Sequence, residues 1–208
     1  MDHPGEGSQV PLEREFFDRD VVTVARELLG CVFARRSADG DVAVRLTEVE
    51  AYAGERDPAS HCYRGLTPRN AVMFGEPGHA YVYFTYGMHF CVNLVCGPPG
   101  TPSAVLLRAG EIVEGLETAS ARRPRSPVRD LARGPARLCQ ALGIRREQNG
   151  LDVCADGELT ITAGASVAPD LVLAGPRTGV STAKETPWRF WISGEASVSP
   201  YRAHVPRR

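Results

Sequence analysis

Hydrophobic and polar residues alternate along much of the chain with the two-residue period of a β-strand. The segments that show this pattern are 31–36, 41–52, 80–96, 103–112, 159–164 and 188–194. The pair Asp39-Gly40 separates the first two segments and predicts that they form a hairpin. Gly87 breaks the long run 80–96 and predicts the tip of a second hairpin. The pattern therefore predicts a largely antiparallel sheet.

Two segments have the pattern of helices. Asp20 precedes an apolar run as an N-cap, and Gly30 follows that run where a helix would end. Pro135 suits the first turn of another helix, which Gly143 would stop. Both helices are short enough to flank a sheet.

The remaining segments indicate loops and a single domain. Residues 53–79 are rich in Gly, Pro and polar side chains, and residues 121–130 are rich in Arg and Pro. We expect residues 1–12 to be a flexible tail. Residues 13–208 are then expected to fold as one α+β domain around a curved, largely antiparallel sheet, with flanking helices and a protruding β-hairpin.

Composition narrows the class of protein. With 43% hydrophobic and 24% charged residues, the chain is not intrinsically disordered. Its polar N-terminus and the absence of a long apolar run predict a cytoplasmic protein without membrane contact. Six cysteines show no paired spacing, so we expect them to be reduced and mostly buried. His61-Cys62 with His79 or His89 does not match a metal-ligand spacing, so neither a metal nor a cofactor is expected.

Positive charge is concentrated in one segment. Residues 122–146 contain eight arginines and one acid, whereas the whole chain has a net charge of −1. Two interpretations stay open here: a solvated surface, or a surface that contacts phosphates through arginine forks. The residues proposed for backbone contact are Arg122, Arg123, Arg125, Arg129 and Arg137.

A strand with two acids at its end is the first candidate for chemistry. Strict alternation over residues 41–52 would place Glu48, Glu50 and Tyr52 on the same face as the apolar residues Val42, Val44 and Leu46. Acids are seldom buried unpaired, so the pattern alone favours a strand that leaves the core into solvent. The alternative is the wall of a cleft, where a carboxylate could act as a general base.

Aromatic density around Tyr83 is the second candidate. Aromatic residues in strands usually pack in a core or across strands, which is the more common explanation. Tyr86 differs because it precedes Gly87 at the predicted hairpin tip. An exposed ring there could stack on bases or wedge into nucleic acid.

Several of these segments together resemble the alkyladenine (3-methyladenine) DNA glycosylase family. The resemblance rests on EAY (50–52), TPRN (67–70), YVYFTYGM (81–88) and GPARLCQAL (134–142), in this order along one chain. It covers roughly residues 13–202. It implies a mixed domain around a curved antiparallel sheet, and an enzyme that flips alkylated or deaminated purines out of duplex DNA.

The resemblance also implies how the bond is broken. Glu50 would be the general base that activates a water, and Arg108 would help to hold that water. N-alkylated purines carry a positive charge and leave readily, so one base and one water suffice for 3-methyladenine and 7-methylguanine. Neutral lesions such as hypoxanthine or ethenoadenine would need a further proton donor. The product is an abasic site, which a downstream abasic-site endonuclease would take over in base excision repair.

The remaining roles concern recognition of the base. Tyr52, His61 and Tyr83 would form the walls of the base pocket. Asn93 would exclude guanine by crowding its exocyclic amine. Tyr86 would fill the gap that the flipped nucleotide leaves in the duplex. The partner is then damaged double-stranded DNA, bound by a monomer that is associated with the nucleoid.

The lysine content favours a monofunctional enzyme. Glycosylases that also cut the strand commonly form a Schiff base through an amine. Only Lys184, the single lysine, or the N-terminal amine could serve here, and Lys184 lies outside the motifs. We therefore expect hydrolysis by water and no lyase activity.

Two other classes of protein remain as alternatives. One is a module that binds damaged DNA without catalysis, against which the intact Glu50 and Arg108 argue. The other is a hydrolase of free nucleosides, which would need neither the arginine segment 122–146 nor a wedge at Tyr86.

Overall fold

The computed structural model describes residues 10–85 and 87–205. Its eight strands form one sheet with the order β3-β4-β5-β2-β1-β6, and β8 pairs with both β2 and β7. Each of these pairings is antiparallel. The strands are β1 (Val32–Arg35), β2 (Val42–Tyr52), β3 (Ala80–Thr85), β4 (His89–Cys96), β5 (Ser103–Glu114), β6 (Leu159–Thr162), β7 (Val172–Gly175) and β8 (Arg189–Ile192).

Within the described residues, four short α-helices accompany the sheet: α1 (Arg14–Phe17), α2 (Val21–Glu27), α3 (Leu116–Arg122) and α4 (Pro135–Leu142). The Asp20 side chain accepts hydrogen bonds from the first turn of α2, as its position before the apolar run predicted. Gly143 ends α4 in the left-handed conformation that an L side chain rarely adopts. The pattern of hydrophobic and polar residues predicted neither α3 nor β7.

The predicted α+β class and antiparallel sheet are confirmed. Asp39 and Gly40 lie between β1 and β2, and Gly87 lies between β3 and β4, so both hairpins form where the turn residues indicated. Tyr86, which was expected at the tip of the second hairpin, lies outside the described residues. Residues 1–9 lie outside them as well, whereas the backbone N–H of Leu12 donates to Ile161 in β6.

The alternation expected along β2 is wrong at one point. The pairing of β2 with β5 shifts register between Leu46 and Glu48, which leaves Thr47 as an extra residue. The bulge changes which side chains face the main core: Leu46 packs in it before the bulge, and Val49 after the bulge. Glu48 and Glu50 therefore do not share the face of Val42, Val44 and Leu46.

A second bulge lies opposite the first. Glu48 pairs with Ala109 and Val49 pairs with Leu107, so Arg108 is the extra residue on β5. Gly110 allows the strands to approach here, because a Cβ at this position would lie 2.6 Å from the carbonyl oxygen of Arg45. The two bulges together turn side chains at the middle of the sheet away from regular alternation.

The two faces of the sheet serve different purposes. Alternate residues of β3, β4 and β5 join the core that also contains the apolar side chains of α2 and α4; they are Ala80, Val82, Val92, Leu94, Val105 and Leu107. The residues between them line a pocket; they are Tyr81, Tyr83, Cys91, Asn93 and Leu106. The core therefore supports the floor of that pocket across the thickness of the sheet.

Candidate active site

A pocket of about 340 Å³ opens on the sheet, a volume at the small end of ligand sites in proteins. Cross-strand neighbours form its floor: Tyr81 pairs with Asn93, Asn93 with Leu106, and Leu106 with Glu50. Sheet register alone thus brings residues far apart in sequence into one row. All six residues that were expected to act at the base line this pocket: Glu50, Tyr52, His61, Tyr83, Asn93 and Arg108.

Glu50 lies at the end of this row with its side chain 0% exposed. The interpretation that the strand leaves the core into solvent is therefore wrong. The Tyr52 hydroxyl donates to Oε2 over 2.8 Å, and the Thr178 backbone N–H donates to Oε1 over 2.7 Å. Each carboxylate oxygen has two lone pairs, so Oε2 retains capacity to accept from a water.

Arg108 lies between two acids. Its Nη1 is 3.2 Å from Oε1 of Glu50, and its Nε donates to Oε1 of Glu48 over 2.7 Å. Burial by itself lowers the pKa of Arg108, but the two carboxylates outweigh burial and raise that pKa above its ordinary value. The guanidinium is therefore permanently charged beside Glu50.

The side chains of Tyr52, Tyr83 and His61 form the aromatic part of the pocket. The rings of His61 and Tyr83 meet edge to face with centroids 4.5 Å apart, and the Tyr83 and Tyr81 rings stack at 5.6 Å. Burial, reinforced by Glu50, raises the pKa of Tyr52 well above its ordinary value, and burial does the same for Tyr83. Both phenols therefore stay protonated and present neutral rings.

His61 is neutral at neutral pH in this setting. Partial desolvation and the nearby Arg69 guanidinium lower its pKa. Its Nδ1 lies 3.1 Å from the hydroxyl of Tyr81, whose pKa burial raises to about 12. A protonated Tyr81 can donate to an unprotonated Nδ1, which fixes the plane of the imidazole ring.

The TPRN motif holds the loop that carries His61. Asn70 is buried, and its side-chain NH₂ donates to the carbonyl oxygens of His61 and Gly65 over 3.0 Å each. Its side-chain oxygen accepts from the Thr67 backbone N–H over 2.6 Å. Arg69 donates to the Phe84 carbonyl oxygen and so joins the same loop to β3. The motif therefore positions His61 rather than contacting the pocket itself.

A buried ion pair joins the two loops around the pocket mouth, which we define as residues 58–61 and 178–182. Arg177 binds Asp57 through both of its terminal nitrogens, with Nη2 2.8 Å from Oδ1. The guanidinium carbon also lies 4.6 Å from the centre of the Tyr52 ring. No pattern in the sequence predicted this pair; the one signal is that Arg177 is the only charged residue between Asp170 and Lys184.

Asn93 lies in the pocket floor with its amide anchored. Its Nδ2 donates to the carbonyl oxygen of Tyr81 over 3.2 Å, so the side chain is held across the β3–β4 pair. It is 5% exposed and lines the pocket beside Leu106. A rigid group at this point is suited to excluding a ligand with an extra substituent.

The hairpin between β3 and β4 ends in an exposed turn. The Met88 backbone N–H donates to Thr85, and the Met88 side chain is 70% exposed. Nothing lies within 4 Å of a Cβ built on Gly87, so the tip stands in open space. The role expected for Tyr86 at this tip stays a prediction.

The arginines of residues 122–146 divide into two groups. Arg122 donates to the carbonyl oxygens of Gly40 and Ala141, and Arg123 donates to those of Asp130 and Leu131. Arg133 donates to the carbonyl oxygen of Val198. These three side chains hold neighbouring segments of the fold together. The second group is exposed and consists of Arg125, Arg129, Arg137, Arg145 and Arg146.

In the part of the chain that the structure describes, no group of three His, Cys, Asp or Glu side chains could hold a metal ion. All six cysteines are free, and all except Cys154 are buried, as expected. None of the helices in residues 10–85 and 87–205 has the length and apolar character needed to cross a bilayer.

Comparison with known proteins connects this geometry to one group of enzymes. The family model described as "Methylpurine-DNA glycosylase (MPG)" matches residues 15–196. A Streptomyces avermitilis protein named "Putative 3-methyladenine DNA glycosylase" is 58% identical over 204 residues, covering 96% of each chain. Proteins of the same name from Leifsonia xyli and Methanocella arvoryzae are 54% and 49% identical, covering 92% and 90% of this chain and 92% and 95% of their own.

Proposed function

The chain belongs to the methylpurine-DNA glycosylase family, and from that premise we propose that it removes alkylated purines, 3-methyladenine foremost, from duplex DNA. Hydrolysis of the N-glycosidic bond would leave an abasic site as the first step of base excision repair. The observation that carries the proposal is Glu50, held beside Arg108 in a pocket of about 340 Å³ with aromatic side chains.

Recognition of the base follows from the charge of the lesion. Alkylation at purine N3 or N7 leaves the base positively charged, and such a base is attracted to the electron-rich faces of tyrosine rings. Tyr52 and Tyr83 offer these rings in neutral form, and His61 adds no positive charge. Asn93, in the floor of the pocket, would crowd the exocyclic amine of normal guanine. 7-Methylguanine is also cationic and is a further candidate substrate for the same reason. Hypoxanthine and ethenoadenine are neutral, so as further candidate substrates they would need a proton donor in addition.

The chemical step needs one base and one water. A water that donates to Oε2 of Glu50 attacks the anomeric carbon, and its proton passes to the carboxylate. The C–N bond breaks, and its electron pair neutralises the cationic purine as it leaves. The negative charge of Glu50 also stabilises the oxocarbenium-like transition state. Arg108 holds Glu50 in place and helps to position the water.

The base becomes accessible only outside the duplex stack. We assign Tyr86, which precedes Gly87 in the sequence, to filling the gap that the flipped nucleotide leaves. The exposed Arg125, Arg129 and Arg137 are candidates for contacts with the DNA backbone, and a monomer with one pocket suits one lesion at a time. Lys184 is exposed and does not line the pocket, which favours a monofunctional enzyme.

A lesion panel tests the proposal. Duplexes that bear 3-methyladenine, 7-methylguanine or hypoxanthine are incubated with the protein and heated in alkali, which cleaves the strand at abasic sites. We expect the wild-type protein to release the alkylated bases. Glu50→Gln keeps the shape of the side chain but cannot accept the proton, so release should fall by about 10²–10⁴-fold. Binding of the lesion duplex should persist in this variant.

Each alternative class predicts a different result. Tight lesion binding by the wild-type protein without base release would indicate a non-catalytic binding module. Equally fast cleavage of free nucleosides would indicate a nucleoside hydrolase. Undiminished release by Glu50→Gln would exclude Glu50 as the general base.

A further inference from the structure

Glu48 is a second buried acid that does not line the pocket, although it precedes Glu50 by only two residues. Its Oε1 accepts from Nε of Arg108 (2.7 Å), Nε of Arg189 (2.7 Å) and Oγ of Ser199 (2.9 Å). Its Oε2 accepts from the Ser199 backbone N–H over 2.6 Å. Glu48 therefore accepts four hydrogen bonds outside the pocket, whereas Glu50 lines the pocket and accepts from Tyr52 and Thr178.

We propose that Glu48 is a positioning residue for base release, because it holds the Arg108 guanidinium with one terminal nitrogen directed at Glu50. The inference rests on the proposed function and adds a residue to it. Glu48 itself touches neither the water nor the flipped base.

The planar guanidinium explains how the constraint is transmitted. The nitrogens of an arginine lie in one plane, so fixing two of them fixes the third. Glu48 holds Nε at 2.7 Å, and the Ser199 hydroxyl lies 3.4 Å from Nη2. Nη1 is then left on the side of Glu50, at 3.2 Å from its Oε1.

The bulge in β5 makes this side-chain support necessary. Arg108 is the extra residue of the bulge and has no cross-strand partner in the β2–β5 pairing to set its direction. Its orientation therefore depends on what its side chain binds. Burial would raise the pKa of Glu48, but Arg108 and Arg189 outweigh it and lower that pKa, so the acid is ionised when it holds Arg108.

A purely structural role for Glu48 is the competing explanation. The same contacts join β2 to β8 through Arg189 and to the C-terminal segment through Ser199. Loss of Glu48 would then reduce stability without a specific effect on the chemical step. Rate, lesion affinity and stability must therefore be measured together.

A double-mutant cycle separates the two explanations. Single-turnover release of 3-methyladenine is measured for the wild type, Glu48→Gln, Arg108→Gln and the double variant. We expect Glu48→Gln to slow release by about 10- to 100-fold, as misplacement of a catalytic group does. Lesion-duplex affinity should change by less than about threefold. The double variant should be no slower than Arg108→Gln alone, since Glu48 acts through Arg108.

Thr47→Val is the matched control. Thr47 is the neighbour of Glu48, is equally buried, and its hydroxyl lies 2.8 Å from that of Ser197 in the same C-terminal segment. The substitution keeps the shape of the side chain and removes a tie to that segment without touching Arg108. We expect lower stability and an unchanged rate of release.

Different results would contradict the proposed function and the positioning role of Glu48. If the wild-type protein releases no base, the proposed function fails. If the wild type is active and Glu48→Gln is equally fast, or if the effects of Glu48→Gln and Arg108→Gln multiply, the positioning role is wrong. Should Glu48→Gln fail to fold, the double variant Glu48→Gln/Arg189→Gln is measured in its place, because it removes one negative and one positive charge together. That variant must be slowed as well, and wild-type speed in it would overturn the inference.

Discussion

In the pocket, charged side chains are buried and face charges of opposite sign, whereas in residues 122–146 they lie on the surface or hold loops. Three acids and three arginines in and around the pocket are each at most 5% exposed; they are Glu48, Glu50, Asp57, Arg108, Arg177 and Arg189. The arginine-rich segment has one acid, Asp130, for its eight arginines. The two regions thus satisfy charge in different ways.

The difference follows from the cost of removing charge from water. A buried ion must be paired and hydrogen-bonded, so a charged pocket requires a balanced set. An exposed arginine is solvated and needs no partner, so a surface can accumulate one sign of charge. The pocket is therefore suited to chemistry on one base, and the exposed arginines to a long polyanion. Variants that remove one charge from the pocket or from residues 122–146 test this difference.

Loss of one buried partner should have the largest effect. Asp57→Asn leaves the Arg177 guanidinium, 1% exposed, without its counter-charge. We expect the free energy of unfolding to fall by about 3–5 kcal/mol, measured by urea denaturation. Asp39→Asn is the control from the other region, because Asp39 pairs with Arg122 at an exposed position. That variant should lose about 0–1 kcal/mol. Equal losses would mean that burial does not distinguish the two regions.

Within residues 122–146, substitution of one arginine should reduce stability, and substitution of another should change only DNA binding. Arg122→Gln removes hydrogen bonds to Gly40, Ala141 and Asp39, so we expect a loss of about 1–2 kcal/mol in stability. Arg129→Gln changes an arginine whose side chain is 70% exposed, so stability should hold. If Arg129 contacts a phosphate, its loss should reduce the salt dependence of DNA binding by about one unit in the log–log slope. An unchanged slope would mean that Arg129 is solvated and does not contact a phosphate.

Protonation of His61 should weaken lesion binding by a smaller factor. The pKa of His61 lies below its ordinary value of about 6.5, so the ring is neutral at pH 7 and gains a positive charge only in acid. A cationic base should then bind about 3- to 10-fold more weakly at pH 5 than at pH 7.5. Binding of a 7-methylguanine duplex to Glu50→Gln avoids turnover during the measurement.

His61→Asn in the same background is the control and should show a flatter profile. The stability of the fold should change with pH in the same direction as lesion binding: it should fall in acid. As the pH falls through about 6.5, the unfolded chain takes up the proton first, so the stability contributed by neutral His61 is lost toward acid. Binding that strengthens in acid would show that His61 does not face the charge of the lesion.

Local patterns in the sequence predicted seven of the eight strands in the described residues, both hairpins and the two principal helices, because turn residues and alternation are local properties. The resemblance supplied the pocket residues, which the register of β2 to β5 then brings together. The bulges at Thr47 and Arg108 could not be predicted, since a bulge depends on the partner strand. The pairing of Asp57 with Arg177 spans 120 residues and has no local signature.

The smallest expected effect concerns the only lysine. Lys184 is exposed and lies outside both regions of the comparison, so Lys184→Arg should leave the rate of base release unchanged. A lyase would need an amine that attacks the sugar and forms a Schiff base, which borohydride reduces to a stable protein–DNA adduct. We expect no adduct with the wild-type protein and no strand cleavage before alkali treatment. An adduct that Lys184→Arg abolishes would mean that the lysine, which follows the mouth loop 178–182, reaches the sugar. Water would then not be the only nucleophile.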